Sequence, residues 1–220
     1  MTNNRPEKKL SHRGKTFIHP SWLAKALAGD RHCDYSLHLQ ANYKIPKTDR
    51  DFDLLAYKSK HQAAIERTVK LLISQGYQVH IENANSFWVN SGNAVISGTP
   101  DIIAIKGDDV IIIDNKTGKP RACDQEQVKL YMALIVSVKL HGITKIPLGK
   151  VIYDNYSPVV IFPEEITEEF RARARNLVKM LKSTTIPLPT PSYRECQWCP
   201  VAHVCSHKME DMATGTAEWL

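Results

Sequence analysis

Apolar residues recur at helical spacing in four stretches of the chain, and between them they alternate with polar residues or run together as strands do. Pro20-Ser21-Trp22 opens a short helix to about Leu27, and Gly29-Asp30 breaks it ahead of Cys33. Residues 59–75 form the next predicted helix, with Ile65, Val69, Leu72 and Ile73 as its inward stripe and Gly76 as its stop. His61 lies one turn before Ile65 on that same face. Strands follow at 77–82, 87–89 and 94–97. Two apolar runs, 101–105 and 110–114, flank Lys106-Gly107-Asp108-Asp109 and so read as a hairpin. A third helix covers 124–140, with Val128, Tyr131, Met132, Ile135 and Val138 at helical spacing. Strands at 150–153 and 159–162 and a long helix over 164–182 complete the order. The sequence therefore predicts an α/β fold, a mixed central sheet flanked by helices.

This pattern divides the chain into four parts. Residues 1–15 form a flexible basic arm, 16–58 an N-terminal helical segment, 59–182 the core, and 183–220 a proline- and cysteine-rich tail. Composition changes the picture little: 43% hydrophobic and 24% charged residues are ordinary for a globular chain of 220 residues. The net charge of +6 and pI near 9.0 favour a polyanionic partner, without naming one. No apolar segment resembles a signal peptide or a membrane span, which points to a cytoplasmic protein with no membrane partner. In that compartment Cys33, Cys123, Cys196, Cys199 and Cys205 read as metal ligands or core residues before disulfides.

The hairpin carries the first chemical signal. Gly98-Thr99-Pro100-Asp101 precedes one of its strands, and Asp114-Asn115-Lys116 ends the other. A tight turn brings the two carboxylates to one end of the sheet, and alternation puts Asp114 and Lys116 on one face. Paired carboxylates repel, and a divalent cation removes the repulsion. Magnesium or manganese suits oxygen ligands and leaves positions for water and a phosphate. Lys116 would then orient or deprotonate the attacking water, or steady developing charge. An Asp-x-Lys triplet alone is far more often a strand end with a solvated lysine; the Pro-Asp, the hairpin and the following helix together decide for chemistry. Gln127 and Tyr131, four residues apart on that helix, share a face that can hold a phosphate or position Lys116. His61 is either a core histidine or a ligand, and as a ligand it tilts the metal toward manganese. Glu66 is at most an outer group.

Cys196-x2-Cys199-x5-Cys205 is the second signal, with Cys33 as the candidate fourth thiolate. Iron–sulfur and zinc both accept four thiolates. One Cys-x2-Cys pair with two spaced singles suits a cubane, while His203 and His207 keep a zinc site open. Cys123 is assigned no role.

Taken in order, these motifs resemble the iron–sulfur RecB-like PD-(D/E)xK nucleases, most closely the CRISPR-associated exonuclease family numbered four. The similarity runs from about Ser21 to Cys205. The resemblance implies a restriction-endonuclease-like core and a 4Fe-4S cluster on Cys33, Cys196, Cys199 and Cys205, the cysteine-rich tail packing on the N-terminal helix. It also implies manganese or magnesium on His61, Asp101, Asp114 and the Asn115 carbonyl, with Lys116 catalytic and Gln127 and Tyr131 as the motif behind it. The implied activity is a DNA exonuclease acting on ends, chiefly of single strands, in CRISPR spacer acquisition or recombination. Its partners would be CRISPR integrase proteins or a helicase, with a homo-oligomer open. The second carboxylate is Asp114 where these CRISPR-linked proteins often carry Glu, a departure that touches the subfamily more than the chemistry. The chain has no phosphate loop of the Gly-Lys-Ser/Thr type, so either a partner unwinds the substrate or the substrate is already single-stranded. Arg171, Arg173, Arg175, Lys179 and Lys182 of the last helix either line a DNA channel or complement the helix dipole. The alternative reading is a catalytically dormant DNA-binding subunit of a recombination or CRISPR adaptation complex.

Overall fold

Local signals place the helices, and a hairpin places the strands that matter most. In the computed structural model, which describes residues 10–47 and 53–210, the chain begins with β1 (Ser11–His12) and β2 (Thr16–Ile18). Pro20 sits in the first turn of α1 (Pro20–Leu27), and Gly29, at φ 74°, follows its end. Next come α2 (Asp34–Asn42), β3 (Tyr43–Lys44) and α3 (Leu54–Ser74), whose N-cap Asp53 accepts the Ala56 N–H. The strands β4 (Gln78–Ile81), β5 (Phe87–Ser91), β6 (Ala94–Gly98), β7 (Ile102–Lys106) and β8 (Asp109–Lys116) lead to α4 (Ala122–Val138). β9 (Leu148–Tyr153), β10 (Val159–Ile161), α5 (Glu168–Lys182) and α6 (Tyr193–Trp198) follow.

Five strands form the main sheet in the order β10-β9-β8-β7-β4. β8 lies parallel to β9, joined through α4, and the other pairs are antiparallel. A second sheet has the order β2-β6-β5, and β1 pairs with β3. The main sheet is covered on both faces. Ile103, Ile112, Val151 and Ile161 belong to the core that includes Val128, Met132 and Ile135 of α4 and Leu23 of α1. Ile102, Ala104, Ile111 and Ile113 pack with Ile65 and Leu72 of α3. This is why β8 reads as the unbroken run Ile111-Ile112-Ile113 instead of an alternating strand.

The structure departs from the sequence-based expectations in four places. Residues 34–42, left without an element, form α2; seven consecutive residues, Ser36 to Asn42, are buried, so no one-sided periodicity marks it. Its polar groups bond internally, with Asn42 Nδ2 donating to the Leu181 carbonyl at 3.1 Å and Thr16 Oγ1 donating to Asn42 Oδ1 at 2.8 Å. α3 starts at Leu54, across the expected boundary at 58, and Ile73 is 59% exposed while Thr68 takes an inward place. The last helix starts at Glu168, because Thr167 caps it and a 3-10 turn occupies Pro163–Glu165. Within the expected arm, residues 1–9 lie outside the described residues, and Ser11–His12 pair with Tyr43–Lys44. Asp49 and Asp51 also lie outside the described residues. No helix among the described residues is long and apolar enough to cross a membrane.

α4 approaches β9 at Gly149. A Cβ there would stand 2.7 Å from Val128 Cγ1 and 2.6 Å from Met132 Sδ. Gly149→Ala is expected to lower unfolding free energy by about 1–3 kcal/mol through overpacking, measured by urea denaturation. An unchanged midpoint would contradict the close α4–β9 packing.

Candidate active site

The β7–β8 hairpin turns through Gly107-Asp108, pairing Lys106 with Asp109 and Ile102 with Ile113. That register brings Asp101, just before β7, level with Asp114 near the end of β8. Asp101 Oδ2 accepts the Asn115 N–H at 2.7 Å, beyond the last backbone pair of the ladder. From α3, His61 Nε2 stands 3.2 Å from the same oxygen and 3.1 Å from the Asn115 carbonyl. The Tyr57 ring stacks on the His61 ring at 6.0 Å between centroids.

Alternation along β8 divides the next residues between two helices. Asn115 turns toward α3, where Thr68 Oγ1 donates to its Oδ1 at 3.0 Å. Asp114 and Lys116 turn toward α4, with Lys116 Nζ 2.6 Å from Asp114 Oδ2. Gln127 joins the group: its Oε1 accepts from Lys116 at 3.3 Å, and its Nε2 donates to Asp114 Oδ1 at 3.4 Å and to the Tyr131 hydroxyl at 3.0 Å. Gly98 makes room for Tyr131, since a Cβ there would lie 2.9 Å from its ring.

The electrostatics follow from burial. The Asp114 side chain is 3% exposed. Burial pushes its carboxyl up to about 6, against the pull of Lys116 and with a further push from Asp101. Burial works against the Lys116 ammonium, but Asp114 outweighs it and holds the lysine protonated above its ordinary range. Burial, then Asp114, raises the Tyr131 phenol. The hydrogen bond with Asp101 raises the His61 imidazole.

Asp114 Oδ2 is buried, and its one close polar neighbour is the Lys116 ammonium at 2.6 Å. Such an oxygen, together with Asp101, the Asn115 carbonyl and one imidazole, is a donor set that suits Mn2+ or Mg2+. Among the described residues, no group of three or more His, Cys, Asp or Glu side chains is already gathered as a metal site. The positive charge facing Asp114 in this arrangement is Lys116.

The four expected cysteines share a pocket, without being gathered closely enough to form a ready metal site. Cys33, Cys196, Cys199 and Cys205 line one small pocket, with His207 and Ser36 beside them. All are free thiols. The Cys33 N–H donates to Glu195 Oε1 at 3.1 Å, and Thr190 Oγ1 donates to the His32 carbonyl at 3.2 Å, so the tail is tied to the α1–α2 connection. Burial raises the Cys199 and Cys205 thiols. Of the two histidines that kept zinc open, His207 lines the pocket and packs edge-on against Tyr35, whereas His203 Nε2 lies 3.0 Å from the Pro46 carbonyl. Cys123 is buried on α4, its thiol pushed up to about 11 by burial and a hydrogen bond with Asp30.

Two polar supports were not singled out from the sequence. Thr68 reads there as one more polar helix residue, and Asp124 only as the start of a helix. Asp124 is buried in the first turn of α4, accepting from the Arg121 N–H at 3.3 Å and the Tyr153 hydroxyl at 3.2 Å. Glu66 is exposed, 3.5 Å from Gln62.

The His61–Asp101 contact has a pH signature in metal-free protein. A histidine whose folded pKa is raised above 6.5 contributes stability that is fully present below that value and lost as pH rises through the folded pKa. In EDTA, wild type is therefore expected to exceed His61→Gln in melting temperature by more at mildly acidic than at alkaline pH. A pH-independent difference would contradict the contact.

A family model described as the PD-(D/E)XK nuclease superfamily matches residues 22–206. No curated protein matches the chain. A solved structure described as "Crystal structure of SSO0001" has a TM-score of 0.45 at 16% identity, with 89% of each chain covered. With the match extending from α1 through the hairpin to the last of the clustered cysteines, the chain belongs to the PD-(D/E)XK nuclease superfamily.

Proposed function

We propose that the chain is a divalent-metal-dependent DNA exonuclease that hydrolyses phosphodiester bonds at DNA ends and prefers single strands. The observation that carries this reading is the meeting of Asp101, Asp114, Lys116, Gln127 and His61 around one end of the β7–β8 hairpin. Nucleases of this superfamily typically use Mg2+ or Mn2+. Asp101, Asp114, His61 and the Asn115 carbonyl would hold the ion, which when bound activates water and offsets charge on the phosphate. Lys116, kept as an ammonium by Asp114, donates to the attacking water or to a non-bridging phosphate oxygen. Gln127 fixes the rotamer of Lys116 and the hydroxyl of Tyr131. Asp101 accepts the Asn115 N–H, and the Asn115 carbonyl lies 3.1 Å from His61 Nε2.

The action on ends, the preference for single strands and a place in CRISPR spacer acquisition or recombination rest on the resemblance to iron–sulfur RecB-like nucleases. So do integrase or helicase partners, whereas a cytoplasmic location rests on the lack of a signal-like or membrane-spanning segment in the sequence. The 4Fe-4S cluster on Cys33, Cys196, Cys199 and Cys205 rests on that resemblance too, and is supported by the pocket these thiols share. A cluster there would fasten α2 to the tail.

Lys116→Ala is expected to lower Mn2+-dependent cleavage of end-labelled single-stranded DNA by at least about 100-fold while leaving DNA binding in EDTA intact. Normal turnover by that variant would overturn the mechanism, and inert, well-folded wild type would favour a dormant assembly subunit. Protein purified without oxygen is expected to be brown, and Cys196→Ala colourless and less stable. Colourless wild type holding stoichiometric zinc would overturn the cluster.

A further inference from the structure

A cavity of about 510 Å3 is lined by residues from the end of α1, the start of α4 and α6. Four of its side chains are cationic at neutral pH (Lys25, Arg31, Arg121 and Arg194), against the carboxylates Asp30 and Glu195. Each carboxylate acts on one cavity cation, Glu195 on Arg31 and Asp30 on Lys25, and also has a second partner. Glu195 Oε1 accepts the Cys33 N–H at 3.1 Å, and Asp30 bonds the Cys123 thiol. The cations act on one another: burial, then Arg31, lowers the Lys25 ammonium and Arg121 adds to the effect, while Cys123 and Asp30 oppose it.

Arg31 is the side chain that calls for a ligand. It is only 9% exposed, and its Nη1 is buried with no hydrogen-bond partner. Burying a charged donor without an acceptor is costly, and guanidinium matches phosphate geometry better than any other side chain. At the edge of the same cavity stands Trp198, 79% exposed. An exposed indole beside a basic pocket is the pairing that single-stranded nucleic acid uses, with phosphate on cations and base on an aromatic face. The location fits a strand already engaged by the nuclease site. Arg121 caps α4, and Gln127 of the same helix bonds Lys116 and Asp114.

We infer that this cavity is a second anchoring point for single-stranded DNA, in which Arg31 and Arg194 take one backbone phosphate and Trp198 stacks the adjoining base. The inference rests on the nuclease reading for its ligand, but not on catalysis. It also assigns Arg31 a purpose distinct from balancing charge on the neighbouring thiols of Cys199 and Cys33, which it feels electrostatically.

The test uses the full chain carrying Lys116→Ala, in EDTA, titrated into a fluorescein-labelled oligothymidylate of about 12 nucleotides. Arg31→Ala risks the fold, so the informative variants are at the exposed positions Arg194 and Trp198. Trp198→Ala is expected to weaken binding about tenfold with melting unchanged, and Trp198→Phe to restore most of it. Arg194→Gln is expected to weaken binding and to reduce the salt slope by about 1. Unchanged affinity in both variants would overturn the subsite, even if the wild-type protein cleaves DNA with Mn2+. Displacement by inorganic phosphate with no Trp198 effect would assign the cavity to a free anion and overturn the strand reading. Trp198-dependent binding, alongside a well-folded wild-type protein that never cleaves DNA with Mn2+, would uphold the subsite and overturn the nuclease reading.

Discussion

A carboxylate buried at the end of the central strand sets the terms for the rest of this structure. Asp114 sits in β8, flanked by strands on both sides and by helices on both faces. A buried charge without a partner costs several kcal/mol, a large share of the roughly 5–15 kcal/mol by which a domain is stable. The fold answers with Lys116 two residues on, and with Gln127 from the helix that follows. A core of Ile112, Val128 and Met132 has no structural need of an acid at that point. Its burial raises the carboxyl, and the charge it carries is met by the Lys116 ammonium at 2.6 Å.

The neighbouring elements follow from that placement. The hairpin delivers Asp101 because its turn is short and its register fixed. α3 must pack on the opposite face to bury Ile102, Ile111 and Ile113, and in doing so it brings His61 to Asp101 and Thr68 to Asn115. α4 must cross back to join the parallel strands β8 and β9, and it carries Gln127 and Tyr131 with it. The tail is tied to the start of α2 through Glu195 and Thr190, near α1, which also packs on α4. The cysteine pocket and the carboxylate site are thus joined through one packed body.

Much of this was legible in the sequence. The Pro-Asp, the Gly107-Asp108 turn and the Asp-x-Lys triplet are local signals, and strand alternation alone puts Asp114 and Lys116 together. The spacing of Gln127 and Tyr131 did the same for α4. α2 was not legible, because a helix buried on every side carries no amphipathic pattern, and Ile73 was misplaced because a stripe drawn at helical spacing does not say where the sheet ends. The partners of Asp124 and the second support of Asn115 depend on contacts between distant segments. Periodicity has no access to these.

The most direct measurement is the binding of Mn2+ to metal-free protein, followed by titration calorimetry and electron paramagnetic resonance in wild type and Asp114→Asn. A cation held at the Asp101–Asp114 end of the hairpin is expected to appear as a saturable site in wild type that is lost in the folded variant. Equal binding by the two proteins would contradict the account, because the buried carboxylate would then serve Lys116 alone.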